Sequence, residues 1–463
     1  MVLSLQTMKR VDEIVARTQT DGRAPSLVAA VVRDGAVAHV TSASSASAAA
    51  SDTPGPDRDT QYRIGSITKS LTAAVVLCLR DDDRLGLDDP LERHLPGTGL
   101  GAVPLRQLLA HAGGLQREPD GQWWERAAGS SLATLLEGLT PAKLAFSPYQ
   151  RFHYSNLAYA LLGGVVERVT GQPWWEVVSS RLLGPLGLKR TTYSPEEPFA
   201  RGYVVHPWHG TLREEPRHDA GAMAPAGQLW STAADLARWA AVLASPSGSA
   251  PVLSPPVAKP DAPVLAPSTL DEMARPAVIE DPDAWTHGYG LGLQLWRRGE
   301  RVFIGHTGSM PGYLAVLAVH RATRTAVVAF ANTYSLRGTG IGATGQSILE
   351  AVLDSEPAPA RPAWQPGAAP PDDVAPLCGR WWWMGREYEA GWDTERSELV
   401  ITELRRGVDT EEWRFTRESA QRWRGRTGEN AGEVLTPLTD DSGHVTALEI
   451  ATAVYTRDPL PSG

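Results

Sequence analysis

Ser66-Ile67-Thr68-Lys69 is the stretch from which the fold of this 463-residue chain can be worked out. It opens a run, Ile67 to Leu79, whose apolar residues recur at the i, i+3, i+4 spacing of a helix. Residues three apart share one helical face, so the Ser66 hydroxyl and the Lys69 amine can share a hydrogen bond. A serine becomes a nucleophile when a base removes its proton, and a lysine is a base only where desolvation or nearby positive potential lowers its pKa.

Lysine is rare in this chain, which makes the lysine at position 69 informative. Only five of the 44 basic residues are lysines, which leaves 39 arginines; the lysines are Lys9, Lys69, Lys143, Lys189 and Lys259. A guanidinium stays protonated near neutral pH and cannot act as a base. A lysine at this position is therefore what base chemistry would require. A helix N-terminus here would add positive potential and backbone N–H groups for an oxyanion.

Two further segments carry residue types that suit acyl transfer. Tyr154-Ser155-Asn156 comes just before a helical pattern over Leu157 to Val169. A tyrosinate near Lys69 could relay a proton to the leaving group, and the Asn156 amide could orient Lys69 or accept the substrate's N–H. On its own, this segment is equally explained by a helix cap that follows an ordinary aromatic residue.

Gly305-His306-Thr307-Gly308 ends a predicted strand and enters a Gly-rich turn that runs from Thr307 to Gly312. A strand edge of this kind can pair with an extended acyl chain through backbone hydrogen bonds. A tight hairpin would explain the same residues in isolation.

The strand and helix signals together predict an α+β domain. Ser26 to Val32 and Ala36 to Val40 form a predicted hairpin around Asp34-Gly35. Strands are also predicted over Val302–His306, Tyr313–His320 and Thr325–Asn332, and helices near the N-terminus and over Ile67–Leu79, Leu157–Val169, Ala233–Leu243 and Thr344–Leu353. We expect the late strands to pair with the early ones in one antiparallel sheet, flanked by the first and last of these helices.

Composition divides the chain into three parts. Residues 1–355 form the predicted domain with the three motifs, and residues 356–376, rich in Pro and Ala, form a linker. Residues 377–463 show short alternating runs separated by charged turns, which predicts a small antiparallel β-barrel. Ser245 to Pro267, rich in Pro, Ala and Ser, is a predicted exposed insertion.

Charge and cysteine content exclude several kinds of partner. The formal net charge is -9, so nucleic acid and anionic membranes are not expected partners. The two cysteines are too few for a disulfide framework or a zinc cluster, and the histidines at 206, 209 and 218 lack regular ligand spacing, so we expect no metal and no other cofactor. No signal-peptide core and no membrane-length apolar run is found, which predicts a cytoplasmic protein.

The motifs SxxK, YxN and HxG occur here in that order, and with them the chain resembles the class C β-lactamase and penicillin-binding-protein superfamily of serine enzymes. The resemblance covers about residues 5 to 355. Two further stretches, Leu108-Leu109-Ala110-His111-Ala112-Gly113-Gly114-Leu115 and Gly227-Gln228-Leu229-Trp230-Ser231-Thr232, are similar to structural motifs of that family.

The resemblance implies a catalytic group of Ser66, Lys69, Tyr154 and His306, in which Ser66 attacks a carbonyl and an acyl-enzyme forms. It also implies substrate-binding roles for Asn156, Thr307, Gly308 and Ser309. The oxyanion hole would consist of the Ser66 and Ser309 N–H groups.

The third motif departs from the family's usual form. Members devoted to β-lactams or peptidoglycan usually carry Lys where this chain carries His306, and a neutral imidazole attracts a carboxylate less than an ammonium does. The His form is common in related esterases, D-amino-acid peptidases and penicillin-binding-protein-type thioesterases, which release and cyclise nonribosomal peptides and carry a C-terminal lipocalin-like domain. The thioesterase and cyclase activity is our first expectation, and a carboxylesterase or D-peptidase is the alternative.

Other functions remain open at this stage. A β-lactamase and a catalytically silent binding or sensor module are the lesser alternatives, although a silent relative would typically have lost Ser66, Lys69 or Tyr154. The expected partner is a small-molecule or peptidyl acyl substrate, which a carrier protein could present. Aromatic pairs such as Trp123-Trp124 could line its pocket, while most tryptophans are expected to pack in cores.

Overall fold

The computed structural model describes residues 2–45, 55–245, 264–356, 368–404 and 411–459. Contacts within the chain divide it into an N-terminal unit, residues 1–360, and a C-terminal unit, residues 361–463. Most of the predicted insertion at 245–267 and part of the predicted linker at 356–376 lie outside the described residues. No helix of the described part of the chain is long and apolar enough to cross a membrane.

An eight-stranded antiparallel sheet forms the centre of the N-terminal unit, in the order β2-β1-β12-β11-β10-β9-β8-β7. Its strands are β1 (Ser26–Arg33), β2 (Ala36–Ser44), β7 (Val278–Ile279), β8 (His287–Tyr289), β9 (Gln294–Arg298), β10 (Arg301–Met310), β11 (Tyr313–His320) and β12 (Thr325–Ala331). Two small sheets pair β3 (Tyr62–Arg63) with β6 (Trp230–Ser231) and β4 (Tyr203–Val205) with β5 (Leu212–Glu214).

Twelve α-helical segments are found in the described residues of this unit. They are α1 (Leu5–Gly22), α2 (Thr68–Asp81), α3 (Leu91–His94), α4 (Leu105–Leu109), α5 (Leu132–Glu137), α6 (Asn156–Thr170), α7 (Trp174–Val178), α8 (Gly184–Leu186), α9 (Ala224–Gly227), α10 (Ala233–Leu243), α11 (Pro267–Ala274) and α12 (Ile341–Ser355).

The α+β prediction is confirmed by the pairing of the early and late strands. Strand β1 lies between β2 and β12, with Leu27 opposite Ala331. Alternate residues of β1 serve two cores, because successive side chains point to opposite faces of a sheet. Leu27 and Val31 pack in the core that contains α1 and α12 side chains, whereas Val28 and Val32 pack in the core that contains α2, α6 and α10 side chains.

One predicted boundary is wrong, at the third motif. The turn predicted over Thr307–Gly312 does not begin at Thr307, because β10 continues through Met310 and pairs with β11 along that length. Two glycines, Gly305 and Gly308, suggested a turn, yet both serve close approach of backbones. A Cβ at Gly305 would lie 1.9 Å from the Leu317 carbonyl oxygen on the neighbouring strand.

The two ends of the described N-terminal unit meet. The Ser4 backbone N–H donates to Glu356 Oε1 at 2.8 Å, and Arg33 forms a salt bridge with Glu356 Oε2 at 3.3 Å. Helices α1 and α12, which start and end this part of the chain, therefore lie side by side against the sheet.

The C-terminal unit is a closed barrel of eight antiparallel strands in sequence order, as the alternating runs predicted. Its strands are β13 (Gly379–Trp383), β14 (Arg386–Asp393), β15 (Glu398–Glu403), β16 (Glu412–Ser419), β17 (Arg422–Gly425), β18 (Val434–Thr439), β19 (Val445–Ile450) and β20 (Ala453–Thr456). Closure pairs β13 with β20, so none of the eight strands described in this unit has a free edge. Trp381, Phe415 and Trp423 are buried at its centre.

Candidate active site

Ser66 lies in a single 3-10 turn, Gly65–Ile67, directly before helix α2. Lys69 is the second residue of α2, so the two side chains emerge on the same side one turn apart. The Lys69 Nζ and Ser66 Oγ atoms are 3.0 Å apart. The spacing read from the sequence thus places the hydroxyl and the amine within hydrogen-bonding distance.

The Lys69 amine has two further partners, both of which can only accept. Nζ donates to Asn156 Oδ1 at 2.7 Å and to the Ala226 backbone carbonyl at 2.6 Å. The Lys69 side chain is fully buried. The amine is therefore surrounded by three hydrogen-bonding oxygens and has no access to bulk water.

Burial lowers the pKa of Lys69 well below its usual value, because desolvation penalises the charged ammonium. The negative charge of Glu118 opposes this change and the positive charge of Arg117 reinforces it. No carboxylate among the described residues forms an ion pair with Lys69, so the neutral amine is favoured.

Tyr154 faces the same serine from the segment before α6. Its hydroxyl is hydrogen-bonded with Ser66, and its ring centroid lies 5.0 Å from Lys69 Nζ. Burial raises the pKa of Tyr154, because the phenolate would lose its hydration. The resting form is thus the neutral phenol, and the tyrosinate considered from the sequence is disfavoured in the structure.

The Tyr154–Asn156 segment is held at both sides. Ser155 is the N-cap of α6, since its side chain accepts the Ala158 N–H at 3.0 Å. The Ser155 N–H donates to His111 Nδ1 at 3.0 Å, which fixes the imidazole with its proton on Nε2. His111 belongs to the Leu108–Leu115 motif. Through this hydrogen bond the motif positions the Tyr154–Asn156 segment, which is the structural role that the resemblance implied.

A carboxylate that the sequence analysis missed lies beside Asn156. The Asn156 Nδ2 group donates to Glu118 Oε1 at 2.7 Å, and Trp123 Nε1 donates to Glu118 Oε2 at 3.0 Å. Glu118 stands in a loop without periodic pattern, so no spacing rule singles it out. Its position three residues after the Leu108–Leu115 motif is the only signal in the sequence.

Strand β10 lies directly against the turn that carries Ser66. A Cβ at Gly65 would lie 2.6 Å from the Ser309 backbone nitrogen, and a Cβ at Gly308 would lie 1.9 Å from the Ile64 carbonyl oxygen. Only glycine fits at these two positions. The absence of both side chains brings the Ser309 N–H to the turn that carries the Ser66 N–H, as an oxyanion hole requires.

His306, which the sequence predicts to be catalytic and to line the site, lies on strand β10. Its ring is buried, and its Nδ1 lies 2.5 Å from the Thr307 carbonyl oxygen, so this nitrogen carries the proton. The Nε2 atom then accepts from the Tyr289 hydroxyl at 2.9 Å. Burial lowers the pKa of His306 to about 3, because the charged imidazolium would lose its hydration. His306 is therefore a neutral wall residue that orients β10 and Tyr289.

Ser66 lines a cavity of about 510 Å³, and a second cavity of about 550 Å³ shares part of its lining. Both are bounded by Arg117, Trp124, Asn156 and Ser309. Thr307 and Gly308, which are predicted to bind substrate, line the first of them. Of the predicted aromatic pair, Trp124 lines both cavities, and Trp123, which is buried and donates to Glu118, lines the second.

No group of three or more histidine, cysteine or carboxylate side chains in the described ranges could hold a metal ion. Cys78 and Cys378 are free thiols.

Comparison with known proteins places this arrangement in a family. The model of the family described as Beta-lactamase matches residues 11–344. The chain belongs to the Beta-lactamase family. Residues 370–457 match a domain of unknown function, DUF7586.

Individual relatives of this β-lactamase-family chain are distant. The D-alanyl-D-alanine-carboxypeptidase/endopeptidase AmpH of Escherichia coli is 29% identical over 195 residues, which are 40% of this chain and 49% of AmpH. The chain thus matches about half the length of that relative.

Solved structures share the fold over longer stretches. SurE superimposes with a TM-score of 0.59 at 24% identity and covers 98% of this chain and 99% of its own. The D-amino acid amidase of Ochrobactrum anthropi, complexed with D-phenylalanine, gives a TM-score of 0.61 at 22% identity over 76% of this chain and 99% of its own.

Proposed function

We propose that this β-lactamase-family hydrolase forms an acyl-enzyme on Ser66 and acts on peptidic acyl donors with a D-configured residue at the reacting carbonyl. The observation that carries the first part is the set of three oxygens around the buried Lys69 amine. The second part rests on relatives, and the two parts are tested separately.

The partners of Lys69 suit a neutral amine that acts as a base. A neutral amine has two N–H groups and one lone pair. Asn156 Oδ1 and the Ala226 carbonyl are acceptors only, so they take the two N–H groups. The lone pair is then left facing Ser66 Oγ, 3.0 Å away. This is the arrangement in which Lys69 can accept the serine proton.

The proposed reaction has two steps that balance in atoms and charge. Lys69 takes the Ser66 proton as Oγ attacks the carbonyl carbon, and the carbonyl electrons move to the oxygen. The Ser66 and Ser309 N–H groups stabilise that oxyanion. As the carbonyl re-forms, the leaving group departs with a proton delivered through the Tyr154 hydroxyl, and Lys69 returns a proton to Tyr154. Water or an amine then attacks the acyl-Ser66 ester by the same steps reversed.

The names of several relatives support a D-configured donor. AmpH is a D-alanyl-D-alanine-carboxypeptidase, the Ochrobactrum enzyme is a D-amino acid amidase, and SurE was also solved with D-Leu. Pairing of β10 with β9 stops at Gly305, and beyond it the half-buried Ser309 borders both cavities, where its backbone can hydrogen-bond an extended peptide donor.

Release by cyclisation is the more specific form of the proposal, with hydrolysis of D-peptides or simple esters as the alternative. The closed eight-stranded C-terminal barrel favours a thioesterase and peptide cyclase, because the resembling thioesterases carry a lipocalin-like domain there. The donor would then be a nonribosomal peptide presented on a carrier protein. The cytoplasmic location expected from the sequence would suit such a partner.

Activity as a β-lactamase is less favoured. The carboxylate of a β-lactam would meet the neutral, buried His306 where related enzymes present an ammonium. Arg117, which borders both cavities, is a cation that could serve a carboxylate, but it already pairs with Glu118 at 3.2 Å.

Intact-mass analysis tests the proposal. The purified chain is mixed with a thioester-activated peptide ending in a D-residue, with its L-residue counterpart, with a simple ester and with a chromogenic β-lactam. Ser66→Ala is the matched control. We expect a transient acyl adduct with the D-peptide that is absent from Ser66→Ala, and cyclic product would support the cyclase.

Other outcomes revise the proposal in defined ways. Linear product alone would support D-peptide hydrolysis, and equal adducts with the L-peptide would overturn the stereochemical part. If wild type forms no adduct with any donor or with a fluorophosphonate, the acyl-enzyme proposal is wrong and a binding module is favoured.

A further inference from the structure

Glu118 is the one charged side chain joined by a hydrogen bond to a direct partner of Lys69, among the residues that the structure describes. The chain of contacts runs from Ser66 Oγ to Lys69 Nζ, from Lys69 to Asn156 Oδ1, and from Asn156 Nδ2 to Glu118 Oε1. Each of these separations is 3.0 Å or less. We propose that Glu118 is a positioning residue that acts on Lys69 through Asn156, an inference that rests on the proposed function.

The first effect of Glu118 concerns the orientation of the Asn156 amide. An amide can present either its oxygen or its NH₂ group to Lys69. A carboxylate can only accept, so it binds the NH₂ group and leaves Oδ1 facing the amine. The second carboxylate oxygen accepts from the buried Trp123 indole, which anchors Glu118 itself. A flipped Asn156 would present N–H groups to the amine, which could accept them only by turning its lone pair away from Ser66.

The second effect is electrostatic. The Glu118 charge stabilises the ammonium form of Lys69, and the neighbouring Arg117 destabilises it. The other titratable groups around Lys69 are His111, His306, Tyr154 and Tyr159. Burial lowers the pKa of both histidines and raises the pKa of both tyrosines, so all four are neutral near pH 7. Arg117 and Glu118 are then the charged side chains that act on the base.

Adjacent residues of opposite charge provide a matched pair of variants. Activity requires the neutral amine, so the acidic limb of the pH profile follows the Lys69 pKa. Glu118→Gln removes a negative charge and should move that limb to lower pH by about one unit, whereas Arg117→Gln should move it to higher pH. The Arg117 side chain is largely exposed, so its variant should fold.

The effect of Glu118 on the orientation of Asn156 is measured as the reaction rate on the plateau of the pH profile, where Lys69 is neutral. Glu118→Ala leaves Asn156 free to flip and should lower the plateau about tenfold. Glu118→Gln keeps one oxygen that can accept from Asn156 Nδ2, so its plateau rate should fall less than that of Glu118→Ala. In an Asn156→Ala background, Glu118→Ala should cause little further loss, since the amide through which it acts is gone.

The readout is the rate of phosphonylation by a fluorophosphonate from pH 5 to 10, in which Ser66 Oγ displaces fluoride from phosphorus, with intact mass to locate the adduct on Ser66. Opposite shifts of the acidic limb in the two charge variants support the inference. Unchanged midpoints in both variants, with the adduct still on Ser66, would overturn it and leave the proposed function standing. Absence of the adduct from wild type would instead overturn the proposed function.

Discussion

The contact between Gly308 and the Ser66 turn leads to a quantitative prediction. In Gly308→Ala the added methyl would lie 1.9 Å from the Ile64 carbonyl oxygen, and contacts shorter than 3.0 Å are essentially never seen. The strand or the turn must therefore move by at least about 1 Å, and a displacement of that size can cost about 100-fold in rate. The displaced atoms include the Ser309 and Ser66 N–H groups, and loss of one oxyanion donor costs about 100- to 1000-fold.

The assay is the rate at which Ser66 is phosphonylated by a fluorophosphonate and acylated by the ester or peptide substrate. We expect Gly308→Ala to react about 100 to 1000 times more slowly than wild type. Its melting temperature should also fall, since overpacking costs about 1–3 kcal/mol. Gly101→Ala is the control, because a Cβ at Gly101 meets nothing within 4 Å.

A folded Gly308→Ala protein whose acylation rate stays within about threefold of wild type would refute this reasoning, because transition-state stabilisation by the proposed donors would then be insensitive to their spacing.

Two other substitutions test the site. Lys69→Arg should abolish turnover, because a guanidinium stays protonated and cannot accept the Ser66 proton; a steady-state rate near wild type would contradict the base role. His306 has a pKa lowered to about 3 in the folded chain, against about 6.5 when unfolded. The unfolded state therefore binds a proton below pH 6.5 that the folded state does not, and the stability contributed above pH 6.5 is lost on acidification. Between pH 7.5 and 4.5 this loss is about 3 kcal/mol, so the melting temperature of His306→Gln should fall less on acidification than that of wild type. Equal falls would show that His306 is not a buried neutral group.

The five longest helices of the described N-terminal unit and its strands β1, β2, β11 and β12 could be predicted from the sequence, because their apolar residues recur at regular spacing. Helix α10 spans Ala233–Leu243 as predicted, after its Thr232 cap. The spacing of Ser66 and Lys69 likewise predicted their contact, since both belong to one turn of chain. These features depend on residues that are close together in the sequence, so the spacing of those residues is enough to predict them.

Features that depend on distant pairing were missed or misread. The sequence predicts that β10 ends at His306, whereas the strand continues to Met310. Gly305 and Gly308 resemble turn residues until the neighbouring backbones are known. Strands β7 and β8 are only two and three residues long and carry no alternation. Glu118 and Tyr289 owe their roles to partners 38 and 17 residues away, which no motif specifies.

The hydrogen bond between Ser4 and Glu356 places the start and the end of the described N-terminal unit next to each other. Because the start of helix α1 lies beside the end of helix α12, a short peptide could join these two points. New termini could then be opened at an exposed loop elsewhere. The same closeness lets such a unit be spliced into a surface loop of another protein, since the host chain would leave and re-enter at nearly one point. A circularly permuted form should therefore retain a Ser66 that can be acylated.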